Sequence, residues 1–383
     1  MLYFDHNASG PLSSAAREAW LDAQERFPAN PSSLHRPGQR AEAALDAARA
    51  SVASHLGCRE AGLVWTSGAT EAAGAVFGHL AQQADPGAGV WLSAVEHPCV
   101  LESAERAFGG RVRRLPVSVG GVLDLGVLEA ALAAERPAAV AVMAASNETG
   151  VLQPWEAVQA LCRRAGVPFV CDATQWIGRL PAGGMGGCDF VFGSGHKCGA
   201  PVGTGFLSVG ASPFRLRPLL CGGPQEDGRR AGTQNVAGAV AFAAALADCA
   251  GRFAGIPERL EWRGRFEEGL CRVLPGARIL GSGEERLWNT VAFLPPALAD
   301  CRQRWVVRLD AAGVAASSGS ACASGKEKPS HVLEAMGVPA GDADRVLRLS
   351  GGWETGWTEW EEVGRRIGGV YARLGGLEAS KQA

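Results

Sequence analysis

The sequence predicts an α/β fold: a large domain with a mostly parallel sheet covered by helices on both faces, plus a smaller α+β domain. Two observations carry this. Short apolar runs at 62–66, 90–93, 112–117, 139–144, 168–171, 190–193 and 205–209 alternate with Ala/Leu/Glu-rich stretches of helical period, such as 125–135 and 154–165. Alternation of this kind gives parallel strands joined by crossover helices. Near 250–257 the pattern changes. A helical stretch at 258–273 leads into strands at 278–280 and 289–294, a helix near 330–336, a strand at 345–350 and a closing helix at 359–374. The predicted large domain is 13–257. The smaller one takes 258–383 together with 1–12, because the N-terminal segment precedes the first clear helix.

Bulk properties narrow the function classes. A chain of 383 residues with 47% hydrophobic and 20% charged residues is expected to bury a large core. The formal charge of −2 gives no electrostatic case for nucleic acid or an anionic membrane. No run approaches the length of an apolar spanning helix. The start, Met1-Leu2-Tyr3-Phe4-Asp5-His6, lacks the pattern of a signal peptide, so a cytoplasmic protein is expected. Eleven cysteines include no Cys-x-x-Cys pair, which argues against a zinc knuckle or thioredoxin-type motif and for free thiols.

In open α/β sheets ligands bind beyond the carboxyl ends of the strands, and the polar motifs fall there. Asp172-Ala173-Thr174-Gln175 ends the run at 168–171. Twenty-five residues after Asp172, Lys197 closes Ser194-Gly195-His196-Lys197 after the next run. An acid and a lysine so placed are what pyridoxal 5'-phosphate (PLP) requires: the lysine for the Schiff base, the acid for the pyridine nitrogen. Gln175 could hydrogen-bond the ring 3-oxygen, and Ser194 and His196 the phosphate. Plainer readings are an Asp that caps the following helix and a solvated surface lysine, the latter disfavoured at the edge of an apolar strand.

Thr66-Ser67-Gly68-Ala69-Thr70-Glu71 runs from a strand end into a helix start. Small residues and free helix N–H groups suit a phosphate, with Thr70 adding a hydroxyl; an ordinary helix cap reads equally well. His97, in Glu96-His97-Pro98, could stack on a flat ring and move protons, although a lone histidine is more often structural. Arg230-Ala231-Gly232-Thr233 could add a phosphate contact. Arg348 alternates with apolar residues in 345–350; it is either a carboxylate clamp or a structural ion-pair partner. Far downstream, Cys322 lies in Ser317-Ser318-Gly319-Ser320-Ala321-Cys322-Ala323-Ser324-Gly325, whose glycines and serines favour no single conformer.

These motifs in this order resemble the NifS/IscS-type cysteine desulfurases, within the class V aminotransferases of PLP fold type I. The resemblance runs from Asp5-His6-Asn7-Ala8 through Asn147-Glu148-Thr149-Gly150 to Arg348, and the Ser-Ser-Gly-Ser-Ala-Cys stretch is specific to the desulfurase branch. It implies that Lys197 carries PLP, that Asp172 and Gln175 contact its ring, and that His97 stacks on it. It implies that Ala69, Thr70, Ser194, Gly195 and His196 hold the phosphate, joined by Thr233 from the other subunit of a homodimer. Asn147 and Arg348 would bind the carboxylate of L-cysteine. Cys322 would take its sulfur as a persulfide, leaving L-alanine, and pass it to a sulfur-acceptor protein, an iron–sulfur scaffold or a thiolation protein. No resident metal is implied; Cys322 could transiently ligate an iron–sulfur cluster with a partner. Trp353 stands where relatives often carry a second arginine, and Ser146 where an asparagine is usual. The competing readings are a selenocysteine lyase or class V transaminase on the same scaffold, and a scaffold protein that has lost activity.

Overall fold

The computed structural model describes residues 1–210, 216–298, 301–318 and 330–379, with 301–304 and 376–379 in backbone alone. The chain opens with a short strand, β1 (Leu2–Tyr3). It then builds a sheet from β2 (Leu63–Thr66), β3 (Val90–Ser93), β4 (Val112–Leu115), β5 (Ala139–Ala141), β6 (Phe169–Asp172), β7 (Phe190–Ser194) and β8 (Gly205–Val209), in the spatial order β2-β8-β7-β6-β5-β3-β4. Six strands run one way. β8 runs against its neighbours β2 and β7, so the sheet is parallel except for this strand. β2, β3, β5, β6, β7 and β8 are buried along their whole length. Strands covered on both faces have no solvent side, which is why they read as apolar runs without alternation.

Helices α1 (Ser14–Arg26), α2 (Arg36–Leu56), α3 (Ala69–Gln83), α4 (Pro98–Phe108), α5 (Leu125–Ala134), α6 (Trp155–Ala165) and α7 (Val236–Gly251) provide the cover. Val76, Phe77, Val100 and Leu101 of α3 and α4 pack with Val64, Leu92 and Phe190 on one face. The other face packs Trp65, Trp91 and Phe169 against residues of the remaining five helices, among them Leu45, Val158 and Phe242. β4 is shorter than the predicted 112–117 because Pro116 cannot donate to the ladder. Beyond β5, the N–H groups of Val142 and Ala144 still donate to Val170 O (3.0 Å) and Asp172 O (2.8 Å). That keeps 146–147 level with the end of β6.

The second unit packs α8 (Ile256–Val273), α9 (Cys301–Ala311) and α12 (Trp357–Ala379) on an antiparallel sheet of β9 (Arg278–Ile279), β10 (Thr290–Leu294), β12 (Ser317–Ser318) and β13 (Leu347–Ser350). A further strand, β11 (Val314–Ala315), pairs in parallel with β1. Two short helices, α10 (His331–Ala335) and α11 (Ala340–Ala343), precede β13. Phe4, Phe266, Trp305 and Trp360 centre this unit's core. The N-terminal arm therefore starts in the second unit and crosses to the first. Gly10 N donates to His196 O (2.8 Å), and Ser13 N to Gly199 O (2.9 Å).

Gly205, at the start of β8, lets three backbone segments meet at the end of β2. A Cβ on Gly205 would lie 2.5 Å from Gly68 Cα and 2.6 Å from Gly193 O. Neither neighbour is a side chain that can swing away. Gly205→Ala is therefore expected to cost about 1–3 kcal/mol of stability, read as a lowered urea midpoint. An unchanged midpoint would contradict this packing.

Candidate active site

The carboxyl ends of β2, β3, β6 and β7 open on a cavity of about 320 Å³. Lys197 reaches it from the turn after β7, where its Nζ donates to the backbone oxygens of Asn7 (2.8 Å) and Ala8 (2.6 Å). The chain has four lysines, and Lys197 is the only one among the described residues. Asp172 ends β6 and lines the cavity; its Oδ1 accepts from Thr174 N at 2.9 Å. Thr174 Oγ1 and Gln175 Oε1, also buried there, have no hydrogen-bond partner among the described residues. Gln175 lines the same cavity, and its Nε2 donates to Asn7 O at 3.0 Å.

The turn between β2 and α3 brings its motif to the cavity. Gly68 precedes α3 with φ +154°, and it offers no side-chain cap. Ala69 N finds the Ser194 hydroxyl at 3.2 Å, and Ala69, Thr70 and Ser194 all line the cavity. The mouth of a fifteen-residue helix, flanked by two hydroxyls, suits an anion by geometry and dipole. Gly195 lies beneath it, where a Cβ would meet Thr204 Oγ1 at 2.7 Å.

Both cavity histidines are held neutral. Burial lowers the pKa of His97, and the Lys197 charge adds to this against the opposing pull of Asp172. Its Nδ1 accepts from Cys99 N at 3.1 Å, which leaves the ring proton on Nε2. Burial, then the charges of Lys197 and Arg179, bring His196 to about 4; its Nδ1 shares a hydrogen bond with Ser9 Oγ (3.2 Å).

Arg348, on β13, is only 1% exposed yet lines the cavity. It donates to Asp5 Oδ1 (2.6 Å) and to Asn147 O (2.9 Å), while its buried Nε has no partner among the described residues. Both sequence readings thus meet in one residue: an ion pair orients the guanidinium, and the guanidinium faces the cavity beside Asn147. Trp353 does not line this cavity. Its Nε1 donates to Gly178 O (2.7 Å) and its ring lies 4.3 Å from that of Trp288. Thr233 is exposed and outside the cavity, and Arg230 is engaged with Glu71 at 2.9 Å. Cys322 lies outside the described residues.

Three residues were missed as functional candidates. Asn7 is 1% exposed and binds both units: its Nδ2 donates to Thr290 Oγ1 (2.9 Å), and its N to Ser350 Oγ (2.9 Å). Glu96 is fully buried. Its Oε1 accepts from Met143 N (2.7 Å), tying β3 to the segment after β5, and burial followed by the Asp172 charge pushes its pKa well up. Glu148 is pushed to about 7 by burial, against the hydrogen bond from Ser330 and the charge of Arg348. The motifs Glu-His and Asn-Glu-Thr-Gly contained the last two, but their burial was not legible.

A primary amine, a carboxylate, a helix mouth with hydroxyls and a neutral imidazole around one cavity are a donor set that fits PLP. The chain matches the class-V aminotransferase family over residues 2–354, and it belongs to that family. Within it, the curated relatives are cysteine desulfurases. Identity is 39% over 375 residues to that of Cereibacter sphaeroides, covering 96% of this chain and 94% of the relative. It is 37% over 355 residues to that of Klebsiella pneumoniae, covering 91% and 87%. Among solved structures, a NifS-like protein superposes with a TM-score of 0.88 at 28% identity, over 97% of this chain and 100% of that one. A structure described as SspA in complex with cysteine superposes with a TM-score of 0.78 at 28% identity, over 91% and 98%.

Glu148 makes a stability prediction. Its carboxyl ionises near 4.5 in the unfolded chain and near 7 when folded. Between these values the unfolded state holds fewer protons, so this group's contribution to stability falls as pH rises. Glu148→Gln removes that loss. Relative to wild type, the variant is expected to gain on the order of 2 kcal/mol between about pH 4.5 and 7, measured by urea unfolding across the window. A constant difference would contradict the assignment.

Proposed function

We propose that this enzyme is a PLP-dependent cysteine desulfurase that converts L-cysteine to L-alanine and places the sulfur on Cys322. The observation that carries the reading is the convergence of Lys197, Asp172, His97 and the open α3 mouth on one cavity with a buried arginine at its wall. When bound, PLP supplies an electron sink for the bond electrons released at the substrate Cα. Lys197 would carry it, Asp172 would pair with its ring nitrogen, and Ala69, Thr70, Ser194 and His196 would hold its phosphate. The chain's own groups do the rest. Arg348, held by Asp5, receives the substrate carboxylate with Asn147 beside it. The Lys197 amine takes the Cα proton. The neutral His97, with its proton on Nε2, stands ready to exchange protons at the same cavity.

In the sulfur step the Cys322 thiolate attacks the substrate sulfur. An S–S bond forms, the Cβ–S bond breaks with its electrons left at Cβ, and protonation at Cβ followed by return of a proton to Cα gives alanine. The resemblance in the Ser/Gly/Cys stretch supports Cys322. So do the residues at either end of that stretch. Ser317 pairs with Arg348 across β12 and β13. The Ser330 hydroxyl donates to Glu148 Oε2 (2.6 Å), and His331 Nε2 donates to Glu96 O (2.8 Å). Both ends are thus fixed to neighbours of cavity residues.

The same reading includes a homodimer in which Thr233 serves the partner's phosphate, in keeping with its exposure in this protomer. It includes a sulfur-acceptor protein of iron–sulfur assembly or thiolation. A cytoplasmic location is supported by the nine cysteines whose side chains are described, all free thiols. Among the described residues no single helix is long and apolar enough to cross a membrane.

Two outcomes are expected. Wild-type protein releases alanine and sulfide in equal amounts from L-cysteine with a reductant present, and Cys322→Ala loses both. Alanine formation that ignores Cys322 would instead favour a transaminase or lyase. Lys197→Ala is expected to lower turnover by at least about 10²-fold, measured at saturating PLP; a smaller loss would remove Lys197 from the proton-transfer role.

A further inference from the structure

We propose that Glu226 is a positioning residue for cofactor binding: with Arg49 it replaces the missing neighbour strand of β2 and fixes the phosphate turn at 67–70. This rests on the assignment of the cavity to PLP. β2 is the edge of the main sheet, paired with β8 on one side only. Leu63, Trp65 and Ser67 alternate along it, so their backbone groups face one edge. Among the described residues no strand meets that edge, but charged side chains do. Arg49 donates to Leu63 O (2.6 Å), and Glu226 Oε2 accepts from Trp65 N (3.1 Å). One step further, Glu71 Oε2 accepts from Ser67 N (2.8 Å), at the first residue of the turn.

The two carboxylates are themselves clamped. Glu226 makes a two-pronged pair with Arg49 at 2.8 and 3.0 Å, with its side chain fully buried. Glu71 makes one with Arg230 at 2.9 and 3.2 Å. Burial opposes ionisation of Glu71, and the hydrogen bonds from Arg230 and Ser67 outweigh it, leaving its pKa below the usual range. Each acid is thus matched by an arginine, which keeps net negative charge away from an anion site. The same unit matches the donor and acceptor pattern of a strand edge, so it sets position where bare charge would repel phosphate.

The backbone supports a specific placement. Glu226 (φ 53°) and Asp227 (φ 56°) are the only non-glycine residues with positive φ among those described. Consecutive left-handed residues persist only where their surroundings over-determine them. Here the outcome of that strain is the delivery of one carboxylate to Trp65 N, two residues before the turn. The effect reaches the helix mouth directly, because Ser67, Gly68 and Ala69 follow Trp65 with one residue between.

The test is a PLP titration of the apoprotein, monitored by the imine absorption band. Glu226→Gln keeps the shape, removes the buried charge partner of Arg49, and is expected to raise the PLP Kd at least about tenfold. The KM for L-cysteine at saturating PLP is expected to stay within about twofold, since Arg348 and Asn147 are not touched. Arg49→Lys, which keeps the charge and loses the two-pronged geometry, is expected to raise the PLP Kd at least about threefold, and it serves if the first variant fails to fold. Unchanged PLP Kd in a folded variant, even with a lower apoprotein Tm, would reduce the pair to a plug on a sheet edge and overturn the proposal. Wild-type protein that takes up no PLP would overturn the functional reading itself, a separate failure.

Discussion

The buried amide of Asn7 is the interaction on which the site depends. It lies where the N-terminal arm leaves one core and enters the rim of the other. Its carbonyl oxygen takes both the Lys197 ammonium and the Gln175 amide. Its side chain reaches Thr290 and the Asn147 carbonyl, and its own amide reaches Ser350. A buried backbone and side chain satisfied this fully has one geometry available. Lys197, in the turn after β7, and Arg348, on β13, are thereby held across a shared cavity, although the two sheets have separate cores.

Charge in this cavity is arranged by burial as much as by pairing. Asp5 neutralises Arg348 while leaving its guanidinium against the cavity. Glu96 and Glu148 lie close by but are driven toward their neutral forms. In the proposed function Asp172 would be the carboxylate facing the cofactor ring, and Lys197 the amine that carries it. His97 and His196 are neutral, so neither competes for an anionic phosphate or carboxylate as a fixed charge. This division of labour suits a reaction that moves a proton at carbon and needs a base that can lose its charge.

Much of this was legible in the sequence. Lys197, Asp172 and Thr70 could be found because each follows a short apolar run, and a strand end in a parallel sheet is a position of known use. Arg348 showed itself by alternating with Val346, Leu347 and Leu349, although that its two readings coexist emerged only once Asp5 was seen beside it at the cavity wall. What could not be read depends on partners far along the chain. Asn7 and Thr290 are 283 residues apart, and Glu226 and Trp65 are 161 apart. No local pattern encodes such pairs. The orientation of the Gln175 amide, set by the Asn7 carbonyl, was lost for the same reason, and the reversed direction of β8 leaves no mark on an apolar run buried on both faces.

The central claim is that one lysine, placed by the Asn7 and Ala8 carbonyls, anchors the cofactor. Borohydride reduction of the PLP-loaded protein, followed by proteolysis and peptide mass mapping, tests it in one step. With four lysines in the chain the assignment is unambiguous. The pyridoxyl mass is expected on the peptide that contains Lys197. The same mass on a peptide with Lys326, Lys328 or Lys381, or on none from a visibly loaded protein, would contradict the account.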